Sequence, residues 1–123
     1  MSIGRPEVDF PYGDPPAELQ VTDIWEGSGS TANLGDTVKV HYVGVAYSTG
    51  EEFDASWERD EPLEFELGAG RVIAGWDQGV QGMKAGGRRQ LIIPPDLAYG
   101  DRGAGHLIAP GETLIFVCDL VSA

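Results

Sequence analysis

The chain has one cysteine, two histidines and eight basic residues among 123 positions. Each shortage excludes something. A lone thiol, Cys118, cannot close an internal disulfide, which predicts a fold held by its own core and a reducing compartment, the cytoplasm. Two histidines, His41 and His106, do not make a ligand cluster, and the acidic runs EEFD and ERDE lack the calcium-loop pattern, so no metal and no cofactor is expected. Twenty acidic residues outweigh the eight basic ones, for a formal net charge of −12. Such a surface repels phosphate, so no nucleic acid partner is expected, and it keeps a chain soluble and monomeric. No apolar run approaches the length of a membrane span. The first residues, MSIGRPEVDFPYGDPP, lack the apolar centre of a secretory signal. No membrane association is expected.

Glycine and proline are plentiful instead, with 18 and 8 residues. They predict many turns and short elements. Residues 1–17 carry Pro6, Pro11, Pro15 and Pro16, which forbid a helix and predict an extended N-terminal arm. Val8, Phe10 and Tyr12 alternate along it, a pattern suited to lying against the body of the domain at 18–123. Short alternating segments follow. LQVTDIW (19–25), TVKVHYVGV (37–45), PLEFEL (62–67), RQLIIP (89–94) and TLIFVCDLV (113–121) read as strands, with a hairpin turn at Thr49-Gly50. Val38, Val40 and Tyr42 share one face, as do Leu114, Phe116, Cys118 and Leu120.

One segment has a helical period. In RVIAGWDQGVQGM, Val72, Trp76, Val80 and Met83 fall on one face, which predicts a helix over about 75–82. Its glycines are poor helix formers, each costing ~1 kcal/mol against alanine. Gly79 and Gly82 are therefore expected to let the backbone approach a neighbour closely. Several strands and one short helix make an α+β fold, an antiparallel sheet with its apolar face covered by that helix.

Catalytic motifs are missing: GxSxG, the P-loop and HExxH do not occur. A nucleophilic triad has no material, because His41 is expected at the solvent-facing rim, His106 lies in a glycine-rich loop, and Cys118 sits among apolar positions as an inert thiol. What remains is aromatic. Tyr42, Phe53, Phe65, Trp76, Tyr99 and Phe116 are spread over the chain, each on or beside an apolar face. They form either one aromatic core or the wall of a ligand pocket. Asp54 directly after Phe53, and the hydroxyls of Tyr42 and Tyr99, favour the pocket, because buried polar groups need partners.

Five motifs in order, VHYVG (40–44), GEEFDAS (50–56), VIAGWDQGVQGMKAG (72–86), LIIPPDLAYGDRG (91–103) and LIFVCDL (114–120), resemble the FKBP-type peptidyl-prolyl cis/trans isomerases. The resemblance covers about Leu19 to Val121. It implies a curved antiparallel half-barrel wrapped around one short helix. It implies an enzyme that accelerates X-Pro rotation in proline-containing polypeptides during protein folding, with macrolides as ligands of the same pocket. Carried over by position, Trp76 is the pocket floor. Tyr42, Phe53 and Phe116 are walls, with Val72 and Ile73 beside the floor and the Ile73 N–H bonding a ligand carbonyl. Leu63 and Phe65 add apolar wall, Tyr99 bonds from the rim, and Leu107 and Ile108 overhang. Asp54 is the polar group near the reacting amide, held by Tyr42 and paired with Arg59.

The chain departs from the family pattern in three places. Leu63 stands where an aromatic is common, Ala104 where a histidine is frequent, with His106 nearby, and IAP (108–110) where a double proline is usual. These changes bear on wall width and on contacts at the loop tip. A binding module with little turnover and a holdase chaperone are the competing functions. The complete Tyr42, Asp54, Trp76 and Tyr99 set speaks against the first, and the lack of a large apolar stretch against the second.

Overall fold

Alternating β-branched and aromatic residues become strands here because one strand face can be buried while the other meets a different environment. A computed structural model describes residues 5, 6, 8, 13–104 and 108–123. Among the described residues the strands are β1 (Gln20–Trp25), β2 (Thr37–Ala46), β3 (Glu52–Ala55), β4 (Leu63–Glu66), β5 (Arg88–Ile93) and β6 (Leu114–Ser122). One α-helix, α1 (Ala74–Gly79), stands between β4 and β5. All pairings are antiparallel, in the order β1-β5-β6-β2-β3, with β4 on the same edge of β2 further along. The sheet is open and curved, as the resemblance implies.

The long strands β2 and β6 form the centre, paired from Lys39↔Ser122 to Ala46↔Leu114. Their even-numbered residues face α1: Val38, Val40, Leu114 and Cys118 are wholly buried there with Val80, Leu91 and Ile93. The odd-numbered residues build a second, smaller cluster on the outer face, from Val43, Val45, Ala55 and Ile115. The arm contributes to this outer cluster. Val8 packs on it, Pro6 is buried, and Arg5 pairs with Glu52 and Glu58. Phe10 and Tyr12 lie outside the described residues.

Four expectations change. The helix is α1, six residues, not 75–82, and Val80 to Met83 form a turn. The period continues through the turn, since Val80 and Met83 are buried with Trp76, so periodicity alone overran the helix. Gly79 does permit close approach: a Cβ there would meet Leu91 at 2.6 Å. Gly75 does the same against Ile93, at 2.4 Å. Gly82 has open space around it and is needed for its φ of +87° instead, a left-handed turn that stops the helix. Strand β1 alternates in sequence, yet all six of its residues are exposed, because it is an edge strand paired only with β5. His41 is half-buried rather than at an open rim: its ring stacks on Trp57 at 4.3 Å and its Nδ1 lies 2.8 Å from Ser56 Oγ.

Candidate active site

The turn and the short helix carry the floor. Trp76 lies in the first turn of α1, 3% exposed, in the path of Tyr42 and Phe116 from the sheet. Its ring meets Tyr42 edge-on at 4.9 Å and Phe116 edge-on at 5.2 Å. Phe53 meets Phe116 edge-on at 5.5 Å. Edge-to-face contacts set the positive rim of one ring on the negative face of the next, which fixes ring orientation beyond simple burial. The sheet makes room for them at Gly44, where a Cβ would stand 2.7 Å from both Phe53 and Phe116.

Above these rings opens a cavity of about 190 Å³. Tyr42, Phe53, Asp54, Leu63, Val72, Ile73, Trp76, Tyr99 and Phe116 line it, together with Arg71. Leu63 and Tyr99 are partly exposed at 37% and 41%. Phe65 does not reach the cavity surface. It is buried and packs on Trp76 at 5.8 Å, supporting the floor. Ile108 is likewise buried in the main core instead of overhanging the opening. Ala104 and Ile108 exchange both backbone hydrogen bonds, at 2.9 and 3.2 Å, and Ala104 packs against the same core. Leu107 and His106 lie outside the described residues.

The polar corner of the cavity is a closed triangle. The Tyr42 hydroxyl donates to Asp54 Oδ2 at 2.6 Å. Arg59 donates from Nη1 to Asp54 Oδ1 and from Nη2 to the Tyr42 hydroxyl oxygen, both at 2.8 Å. Burial by itself would raise the Asp54 pKa, but the bonds from Tyr42 and Arg59 outweigh it and hold the carboxyl below its ordinary value. Burial, reinforced by the neighbouring carboxylate, pushes Tyr42 up to about 12. The bonds to Asp54 and Tyr42 raise Arg59 above its ordinary value. The corner is therefore an ionised acid, a neutral phenol and a cation near neutral pH. Nothing in it is poised to exchange a proton there.

Two features of the site are not evident in the sequence. Ser56 Oγ accepts from the Tyr42 N–H at 2.7 Å, tying β2 to the turn of 3₁₀-helix at Ser56–Arg59 that delivers Arg59. Arg71 lines the cavity, and the only hint is its place directly before Val72 and Ile73. Among the described residues no cluster of three or more His, Cys, Asp or Glu side chains is arranged to hold a metal ion. Cys118 is fully buried, and that burial raises its thiol pKa far above the ordinary range, so it is not a nucleophile.

The fold has counterparts among known proteins. The family model described as FKBP-type peptidyl-prolyl cis-trans isomerase matches residues 28–121. The chain belongs to this family of isomerases and is an enzyme of the rotamase class. It is 75% identical over 123 residues to an FK506-binding protein of Streptomyces anulatus, covering 99% of each chain. It is 50% identical over 119 residues to a Corynebacterium glutamicum protein named "Probable FK506-binding protein", covering 97% of this chain and 98% of that one. Among solved structures, that of AtFKBP13 superposes with a TM-score of 0.79 at 43% identity, covering 88% of this chain and 94% of the other.

Proposed function

We propose that the cavity over Trp76 binds the prolyl ring of flexible or unfolded polypeptides and lowers the barrier to X-Pro rotation without a covalent step. The observation that carries this reading is the cavity itself: aromatic rings fixed edge-on around one ionised carboxylate that is already saturated by Tyr42 and Arg59. The uncatalysed barrier is ~18–20 kcal/mol and comes from amide resonance. Twisting the bond removes that resonance, so the carbonyl oxygen loses charge and the amide becomes less polar. An apolar enclosure binds the twisted form better than water does, and only such differential binding raises the rate. Each ~1.4 kcal/mol of it is tenfold.

The residues divide the work. Trp76, Phe53 and Phe116 enclose the ring, with Leu63 and Val72 closing the sides. The Ile73 N–H, at the start of α1 where the helix itself supplies no acceptor, donates to the substrate carbonyl. Tyr99 bonds the substrate from the rim. Asp54 and Arg59 act as positioning residues that hold Tyr42 and set the polarity beside the amide. Macrolides occupy the same cavity and compete with substrate. Residues 18–123 are the isomerase domain, residues 1–17 an arm on its outer face, and the lone buried thiol with the acidic surface suits a cytoplasmic monomer. Among the described residues no helix is long and apolar enough to cross a membrane.

The test is cis/trans exchange in short X-Pro peptides, followed by NMR with and without the protein and again with FK506. Faster exchange that the macrolide abolishes supports the reading. Macrolide binding without acceleration would assign the cavity to recognition alone.

A further inference from the structure

Arg71 is the unabsorbed charge at the cavity. Six of the other basic residues, Arg5, Lys39, Arg59, Lys84, Arg88 and Arg89, each pair with a carboxylate. Among the described residues Arg71 has no such partner, although the chain carries 20 acidic residues. The first acid after it in sequence, Asp77, is engaged elsewhere. Its carboxylate accepts the backbone N–H groups of Gly68 and Gly70 at 2.8 and 3.1 Å. Those bonds clamp the segment before Arg71 to α1, the same helix that presents Trp76. Arg71 is thus held at the cavity by an anchored loop, exposed and without an ion pair among the described residues. The other charged corner of the cavity, Asp54 with Arg59, is closed on itself.

We propose that Arg71 is a specificity determinant that selects substrates carrying a carboxylate side chain close to the X-Pro bond. This rests on the isomerase reading above and names a substrate class for it. A guanidinium presents a planar fork of donors that matches a carboxylate in two-point contact. The chain as a whole carries −12 and repels acidic segments at long range. Arg71 supplies a local attraction where the overall field supplies none.

The test uses Ala-Pro peptides with Glu, Gln or Lys placed in turn at each of the two positions on either side, with exchange rates measured for the full chain. Against the wild type, Arg71→Gln lowers the Glu-to-Lys ratio of kcat/KM at one of these positions by about two- to fivefold, the range of an exposed ion pair. Arg71→Lys restores part of the ratio, and salt near 1 M erases it, since the Debye length is then about 3 Å. Lys84→Gln removes the same unit of charge outside the cavity and leaves the ratio at its wild-type value. An equal ratio in the wild type and Arg71→Gln at every position overturns the proposal, as does an equal shift from Lys84→Gln. Wild-type protein that accelerates none of the peptides overturns the isomerase reading, and the proposal falls with it.

Discussion

Asp54 lines the cavity, yet each of its oxygens is already hydrogen-bonded, one to Tyr42 and one to Arg59. A carboxylate so held orients its neighbours and does not shuttle protons. Asp54→Ala should therefore lower kcat/KM by about tenfold, the loss of one charge-assisted hydrogen bond's worth of positioning, with the far-UV spectrum unchanged. Complete loss of activity in a folded variant would contradict this role. The pH profile follows from the same three groups. The Asp54 pKa is depressed, so its contribution is present above the ordinary value of 3.8 and is lost only as pH falls through the lower folded value. The Tyr42 pKa is raised, so its contribution is full below 10.0 and is lost as pH rises through about 12. Activity on an uncharged peptide should be flat from about pH 5 to about pH 9, without the bell of an acid–base pair. A titration midpoint near neutrality would place a proton transfer in the mechanism. That Tyr42, Phe53, Asp54, Trp76, Tyr99 and Phe116 would meet around one cavity was legible in the sequence, because each stands in a short motif. Phe65 and Ile108, placed at the cavity by the resemblance, are buried in the core, because a position carried over from a motif fixes place in the chain and not depth.

At the scale of elements, α1 is short and rich in glycine because it must lie almost on the sheet. Gly75 and Gly79 face Ile93 and Leu91 on β5, both wholly buried and unable to move aside. Gly79→Ala gains ~1 kcal/mol of helix propensity but forces a Cβ to 2.6 Å from Leu91. Overpacking costs ~1–3 kcal/mol, so a net loss of about 1 kcal/mol is expected in urea unfolding. A stabilised variant would mean the helix does not need this closeness. Gly44 plays the same part in the sheet, below Phe53 and Phe116. Gly44→Ala should push the two rings apart and lower kcat/KM by more than its effect on stability explains, as tested by comparing the activity and the melting of one preparation. The close approach by α1 could be read from glycine frequency inside a helical period. The role of Gly44 could not, since its partners come from β3 and β6, distant in sequence.

For the whole molecule, two interactions tie the outer face together. Arg88 Nε donates to Asp119 Oδ1 at 2.7 Å, with both side chains nearly buried, and the Arg88 guanidinium lies 4.3 Å from the Trp25 ring. The contact spans β5, β6 and β1, the edge strand that has little burial of its own. Burial raises the Asp119 carboxyl above its ordinary value despite the Arg88 bond. Removing one member of a buried pair strands the other, so Asp119→Ala should cost about 3 kcal/mol, read as a fall in the urea midpoint. A cost below about 1 kcal/mol would show that the Arg88–Asp119 pair contributes little to holding β1, which Arg89 also ties to β5 through Asp23. Ligand binding acts on the same equilibrium. FK506 at 100 times its Kd should add about 2.7 kcal/mol and raise Tm by roughly 10 °C. An unchanged Tm would remove the macrolide from the proposed ligands.

Local chemistry settled a good deal. The alternation of the strands, the turns, the helical period around Trp76 and the inert Cys118 are all properties of short stretches of chain, where neighbouring residues report on one another. Tertiary structure alone decided the rest. It ended α1 at Gly79 and turned Gly82 to a positive φ, it buried Ile108, and it stacked His41 on Trp57. It brought Arg71 to the cavity and left that charge unpaired while the other corner closed on itself. Each of these depends on contacts between residues far apart in the chain, whose distances no local pattern encodes.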